Sequence, residues 1–282
     1  MGKRFSRIQN QEVGVSMELQ LWKEFLLPYE LAVEELMVKF RHIAKEYRDM
    51  GLFSPIENVL GRVKKISSII EKSYRKGISL DRLEEEMDDI AGIRIMCQFV
   101  EDIERVVEII RERTDMRIIK EQDYINNTKA SGYRSYHLTV EYEVQTINGR
   151  KKLLVEIQIR TLAMNFWAVI EHSLQYKYRA QMPEHIKDRL LASANAVVSL
   201  DAEMSSIRSE VMEAQHAFRE KANLVESIFT NLENLHKVVD DERILKLQQE
   251  FYQLYQNSDL DLLIQFNQRL DEMVQKTSVQ DF

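Results

Sequence analysis

Cysteine is almost absent from this chain: Cys97 is the only one among 282 residues, so no intramolecular disulfide can form and nothing calls for an oxidising compartment. It lies in the apolar run Ile93 to Phe99 and has no neighbour to lower its pKa, which makes it a core strand residue rather than a catalytic thiol. With only three prolines and eight glycines there are few places to turn, and the composition leans towards helix. No apolar run is long enough to cross a bilayer, and the N-terminus lacks the apolar stretch of a signal peptide, which predicts a cytoplasmic protein without a membrane partner. Positive charge is not in surplus either. The formal net charge of −7 excludes a general nucleic-acid coat, so any polyanion site must be local.

What is present is a globular chain with 44% hydrophobic and 30% charged residues. From Met17 to about Met50, apolar residues at helical spacing predict one long or two short helices, with Pro28 as the joint if there are two. Ser54, Pro55 and Glu57 look like a helix start, predicting a helix to about Lys76 that Gly77 ends. A short acidic helix follows around Asp81 to Met87. A buried strand is expected over Ile90 to Val100, a helix over Asp102 to Arg113 and a short strand over Met116 to Lys120.

Two alternating runs flank Asn148-Gly149 and predict a hairpin. With those two residues as the loop, Leu138, Val140, Tyr142 and Val144 face Ile159, Ile157, Val155 and Leu153 on one apolar face. The other face carries His137, Thr139 and Glu141 against Arg160, Gln158 and Glu156, an arrangement expected only where that face is wet. Thr161 can cap a helix to about Tyr178, and Pro183-Glu184 starts another that runs past Phe218. The rest is helical, with breaks at Asp240-Asp241 and Asn257 to Asp259. The expected class is α/β (α+β): a mixed, mostly antiparallel sheet flanked by helices, with long N- and C-terminal helices. The expected organisation is an N-terminal tail over 1–16, a domain over 17–221 and a helical C-terminal extension over 222–282.

Four constellations could carry chemistry. Arg62, Lys64, Lys65, Lys72, Arg75 and Lys76 concentrate positive charge, and on a helix Lys65, Lys72 and Lys76, with Arg62 near them if it starts early enough, would form a basic stripe fit for a polyphosphate, although most such runs are solvated faces. Asp88-Asp89 precede a buried strand, as a Mg²⁺ site would require and as an ordinary turn would also allow. Glu156 lies opposite Glu141 in the register above, and two close carboxylates need a proton, a metal or an arginine between them. Lys129 to His137 sets aromatic and basic groups beside a Ser-Gly pair, where bases could stack and phosphates be held.

Together these segments resemble the synthetase domain of the RelA/SpoT alarmone enzymes, in particular the small RelQ-type synthetases. The resemblance rests on GRVK at Gly61 to Lys64, DIAGIRIMCQFV at Asp89 to Val100, SGYRSYH at Ser131 to His137, VEIQIRTLAMNFWAVIEH at Val155 to His172 and YKY at Tyr176 to Tyr178. It covers roughly Leu21 to Phe218. It implies transfer of the β,γ-pyrophosphate of ATP to the 3′-hydroxyl of GTP or GDP, with Mg²⁺ as cofactor. By the same resemblance Arg62 and Arg94 hold the adenine of ATP, and Lys64, Lys72 and Arg75 its phosphates. Asp89 and Glu156 would be the catalytic and metal-binding pair, with Glu156 as base or ligand. Lys129, Ser131, Gly132, Tyr133, His137, Gln158 and Asn165 would form the GTP site, with Tyr133 stacked on guanine.

The absence of a His-Asp dipeptide, and of room ahead of these motifs for a hydrolase domain, implies synthesis only. The resemblance further implies a homotetramer and an alarmone effector in a central cleft, while RNA binding is left open. Met37 and Asn58 depart from the pattern expected around that cleft, and Gln122 stands where relatives often carry a basic residue. Two other classes fit parts of the pattern. One is a different nucleotide or pyrophosphate transferase; the other is a silent nucleotide- or RNA-binding regulator, which would have no need of both Asp89 and Glu156.

Overall fold

The computed structural model describes residues 2–177, 182–237, 239–257 and 260–278. Tyr178, part of the YKY motif, lies outside them. The chain divides into two compact units, Met1–Ser205 and Ser206–Phe282.

The first unit opens with helix α1 (Gly2–Asp49), which runs through Pro28 without a joint. Tyr29, Leu36, Phe40 and Ala44 recur every turn or two and are buried, so one stripe of α1 forms the wall of the core. The wall is pinned at one point by polar contacts, because Tyr142 Oη donates to Glu35 (2.7 Å) and accepts from Lys39 Nζ (2.7 Å).

No helix starts at Pro55. Asn58–Val63 is strand β1, and helix α2 begins only at Ile66 and runs to Lys76. The reason is packing: Val59 is buried in the core, and Gly61 lies against α1, where an added Cβ would come within 2.4 Å of Met37 Sδ and 2.5 Å of Val33 Cγ1. This tertiary contact outweighs the local start signal. Gly77 ends α2 in the left-handed conformation, φ 66°, as expected. Next come a short turn of helix and α3 (Leu83–Glu86), then β2 (Ala91–Cys97), α4 (Glu101–Arg111), β3 (Met116–Asp123), β4 (Tyr136–Thr146) and β5 (Gly149–Thr161). Helix α5 (Leu162–Lys177) follows, its first turn capped by Thr161, whose hydroxyl accepts from Met164 N at 3.0 Å.

The sheet order is β1-β2-β5-β4-β3, with β2 and β5 parallel and the other pairs antiparallel. The hairpin between β4 and β5 turns one residue earlier than expected, with Thr146 opposite Gly149 and Ile147-Asn148 at the tip, which shifts the cross-strand pairing by two residues. Thr146 accounts for this, because its hydroxyl accepts from Asn148 N (3.1 Å) and donates to Gly149 O (2.8 Å). Since the shift is even, the faces are kept: Leu138, Val140, Tyr142, Leu153, Val155, Ile157 and Ile159 all lie in the core.

Helix α6 (Glu184–His236) spans the boundary between the units, and α7 (Asp241–Gln256) and α8 (Leu260–Ser278) belong to the second. Asp240 caps α7 by accepting from Arg243 N. The second unit has its own core of Ile228, Leu232, Leu235, Ile244, Phe251, Leu263, Phe266 and Leu270.

Gly61→Ala should cost about 1–3 kcal/mol of stability by overpacking α1 against β1. The readout is the midpoint of chemical denaturation, and an unchanged midpoint would mean that α1 and β1 do not approach so closely.

Candidate active site

Residues directly opposite each other in a sheet share a face, and the register therefore assembles the site in rows. One row is Arg62, Gly92, Glu156 and Thr139; the next is Leu60, Arg94, Gln158 and His137. At Gly92 the row has no side chain, and a cleft of about 230 Å³ opens there, lined among others by Arg62, Asp89, Arg94, Glu156 and Gln158. Beside it a second, wider cleft of about 530 Å³ shares Arg62 and is lined by Lys64, Lys65, Lys72, Arg75 and His172. The expected basic cradle is thus real in composition but not a helix stripe. Arg62 and Lys64 come from β1 and its end, Lys72 and Arg75 from α2.

Asp89 joins the two clefts. Its Oδ2 takes Lys64 Nζ at 2.5 Å and Lys72 Nζ at 2.7 Å. Burial pushes its carboxyl up, but the hydrogen bonds from Lys64 and Lys72 outweigh that and hold it below the usual carboxylate range. The other oxygen, Oδ1, is buried with no hydrogen-bond partner among the described residues.

Glu156 does not face Glu141. Their pairing is undone by the tighter turn: Glu141 sits beside Leu154 and bonds Lys152 Nζ at 3.1 Å, while Glu156 faces Thr139. The carboxylate that Glu156 feels is Asp89. Glu156 Oε1 lies 3.2 Å from His137 Nδ1, and Oε2 accepts from Gln158 Nε2 at 2.8 Å. Burial raises its pKa and the His137 hydrogen bond lowers it, with a net shift downwards, so Glu156 is an anion at neutral pH.

The aromatic and basic segment meets this group from the side. Tyr133 Oη is 2.9 Å from His137 Nε2, and Tyr124, Tyr133 and His137 contact one another edge-on. Lys129 Nζ lies 4.2 Å from the centre of the Tyr124 ring and 4.9 Å from that of Tyr133. Ser131 Oγ accepts from Tyr133 N, and Gly132 packs against Ala194. Asn165, in the first turn of α5, has a buried Oδ1 without a partner among the described residues.

Three residues of the surroundings fall outside the expected site set. Tyr124 is recognisable in the sequence as one more aromatic beside the acceptor loop. His172 closes the matched helix segment and lines the basic cleft. Arg160 is expected on a wet face, yet it is only 2% exposed.

A divalent cation fits this chemistry. A buried carboxylate oxygen without a partner, and a second carboxylate in the same cleft, suit Mg²⁺, which takes one or two carboxylates and completes its shell with water and phosphate. Among the described residues no three His, Cys, Asp or Glu cluster into an all-protein cage, which such an ion does not need.

The chain is similar to known proteins in sequence and in fold. The region found in RelA and SpoT proteins matches residues 61–181. The GTP pyrophosphokinase YjbM of Bacillus subtilis (strain 168) is 55% identical over 205 residues, 73% of this chain and 97% of that protein. The chain belongs to the RelA/SpoT family. Within it, the chain is of the small alarmone synthetase type. The small alarmone synthetase 1 from Bacillus subtilis bound to its product pppGpp superposes with a TM-score of 0.66 at 55% identity, covering 68% of this chain and 98% of that one. A GTP pyrophosphokinase family protein from Streptococcus pneumoniae gives a TM-score of 0.66 at 58% identity, covering 69% and 96%.

The lowered pKa of Asp89 sets a pH dependence. A depressed carboxyl contributes stability that is present above its unfolded value, about 4, and lost as pH falls through its folded value. Asp89→Asn should therefore be less stable than the wild type at pH 7, and the difference in denaturation midpoint should shrink only as pH falls below about 4. A constant difference would remove the ion pairs with Lys64 and Lys72 as its source.

Proposed function

We propose that the chain transfers the β,γ-pyrophosphate of ATP to the 3′-hydroxyl of GTP or GDP, giving AMP and pppGpp or ppGpp. One observation carries the reading: an ionised Glu156 stands in a cleft continuous in its residues with a cradle of arginines and lysines, between a surface for stacking and a surface for phosphates. The relatives support it through their names, as GTP pyrophosphokinases, and one of them through its bound pppGpp.

Arg62 and Arg94 flank the small cleft and take the adenine of ATP, while Lys64, Lys72 and Arg75 take its phosphates. Phosphoryl-type transfer needs positioning and charge neutralisation more than covalent chemistry, which a basic cradle supplies. Lys64 and Lys72, held on Asp89 in the free protein, are the donors that a triphosphate would engage. Tyr133 offers its ring to guanine, with Lys129, Ser131, Gly132, His137, Gln158 and Asn165 around the acceptor. The orphan Asn165 Oδ1 suits the N–H donors of guanine. The 3′-oxygen bonds to the β-phosphorus as the bond from that phosphorus to the α-phosphate oxygen breaks, AMP leaves, and the hydroxyl proton passes to Glu156. Asp89 and Glu156 would hold Mg²⁺, which neutralises the polyphosphate charge.

The reading is of synthesis alone, in the cytoplasm, by a homotetramer that an alarmone effector could stimulate. No helix among the described residues is long and apolar enough to cross a membrane. At the two positions that depart from the effector pattern, Met37 packs on Gly61 and Asn58 Oδ1 accepts from Val59 N (2.7 Å), while the nearby Arg41 Nη2 donates to Val59 O (3.1 Å).

Incubation of the pure protein with ATP, Mg²⁺ and GTP or GDP should yield AMP together with a guanosine penta- or tetraphosphate. Absence of both products would sink the reading. Glu156→Gln should leave ATP affinity largely unchanged while synthesis falls by orders of magnitude. Tyr133→Ala should weaken binding of the guanine nucleotide, seen as a raised KM for the acceptor.

A further inference from the structure

Arg160 is buried at the centre of the site and forms no ion pair among the described residues. A buried cation without a counter-charge is costly. Its Nη2 donates to two neutral oxygens, Tyr133 Oη at 3.1 Å and Gln158 Oε1. Both of these residues already lead to Glu156: Tyr133 through His137, and Gln158 directly. The five side chains close a ring of hydrogen bonds.

The direction of that ring follows from elementary donor counting. Arginine can only donate. Tyr133 Oη therefore accepts from Arg160, which leaves its own proton available for His137 Nε2. The Nδ1–H tautomer of His137 takes that proton at Nε2 and donates its own to Glu156 Oε1. On the other arm, Gln158 Oε1 is committed to Arg160, so its Nε2 must face Glu156 Oε2. Without Arg160 both arms could reverse, and either reversal would aim a lone pair at the carboxylate.

We infer that Arg160 is the positioning residue that sets the direction of this ring, so that both oxygens of Glu156 are held by donors and the carboxylate stays aimed into the cleft. The inference rests on the proposed reaction for its kinetic consequences. It also makes Tyr133 a double-purpose residue, whose ring faces the acceptor while its hydroxyl orients the base.

Two measurements test it. In steady-state kinetics, Arg160→Met should lower kcat about 10- to 100-fold with little change in KM for ATP or acceptor, as removal of an outer partner does. Tyr133→Phe, which breaks only one of the two arms, should also lower kcat, by no more than Arg160→Met, and the double variant should be no worse than Arg160→Met alone, since Arg160 holds both arms. A raised KM with kcat kept, or effects that multiply, would overturn the inference and make Arg160 a substrate ligand. The second measurement needs no variant of Arg160 and no activity. With ¹⁵N-labelled histidine, the His137 resonance, assigned by its loss in His137→Gln, should show a protonated Nδ1 and a bare Nε2 in the wild-type protein. A proton on Nε2 would overturn it, whatever the enzyme makes; a correct tautomer in a protein that makes no alarmone would instead fault the proposed reaction.

Discussion

Because β2 runs parallel to β5, Gly92 lies opposite Glu156 and Arg94 opposite Gln158, and everything else in the site is arranged around those two pairs. The pairing joins distant segments of the chain, with α4, β3 and β4 between them. What fixes its register is the opposite face. Ile93, Ile95, Ile157 and Ile159 are all buried, so a slip of one residue would turn these side chains to the cleft and Glu156 and Gln158 into the core. The geometry of the chemistry is thus held by the hydrophobic effect acting on its far side, and the polar face is free to carry closely spaced charges.

That electrostatic arrangement is asymmetric. The chain is acidic overall, yet the two clefts gather cations, and two of the lysines share a single oxygen of Asp89. Their side chains are only 13–15% exposed, so the attraction is less screened than at a surface, while the cost of burial is also real. An arriving polyphosphate would replace one carboxylate by several anionic oxygens. Asp89 would then be left with oxygens to offer to a divalent cation, and in the proposed reaction ATP binding and metal binding would be linked at this one residue.

Much of this was legible in the chain itself. Periodicity marks the apolar faces of β2, β4 and β5, a helix-start signal marks the capping role of Thr161, and the family motifs contain Arg62, Lys64, Asp89, Arg94, Glu156 and Gln158 of the residues that line the clefts. Three things were hidden for physical reasons. The segment at Ser54 to Glu57 carries a helix-start pattern, but burial of Val59 and the fit of Gly61 against Met37 and Val33 make the next residues a strand, and no local rule records that contact. The hairpin turn went to Ile147-Asn148 through the Thr146 hydroxyl, so Glu141, the expected partner of Glu156, was replaced by Asp89 from a distant segment. Arg160 had the right face but not the right environment; a charged residue alternating with apolar ones reads as solvated, and only the fold reveals that it is covered.

The C-terminal helices pose a different question, since all the site residues precede α6 and lie in the first unit. Their own core is joined by a polar cluster, in which Asn231 Nδ2 donates to Asn267 Oδ1 (3.1 Å) and Asp271 Oδ1 (2.6 Å), and Asn267 Nδ2 to Ser227 Oγ (3.1 Å). Such a cluster adds little net stability but penalises any other alignment of α6 against α8, because a shifted helix would bury these groups without partners. The second unit thus carries both a core of its own and a polar cluster that fixes the alignment of its helices.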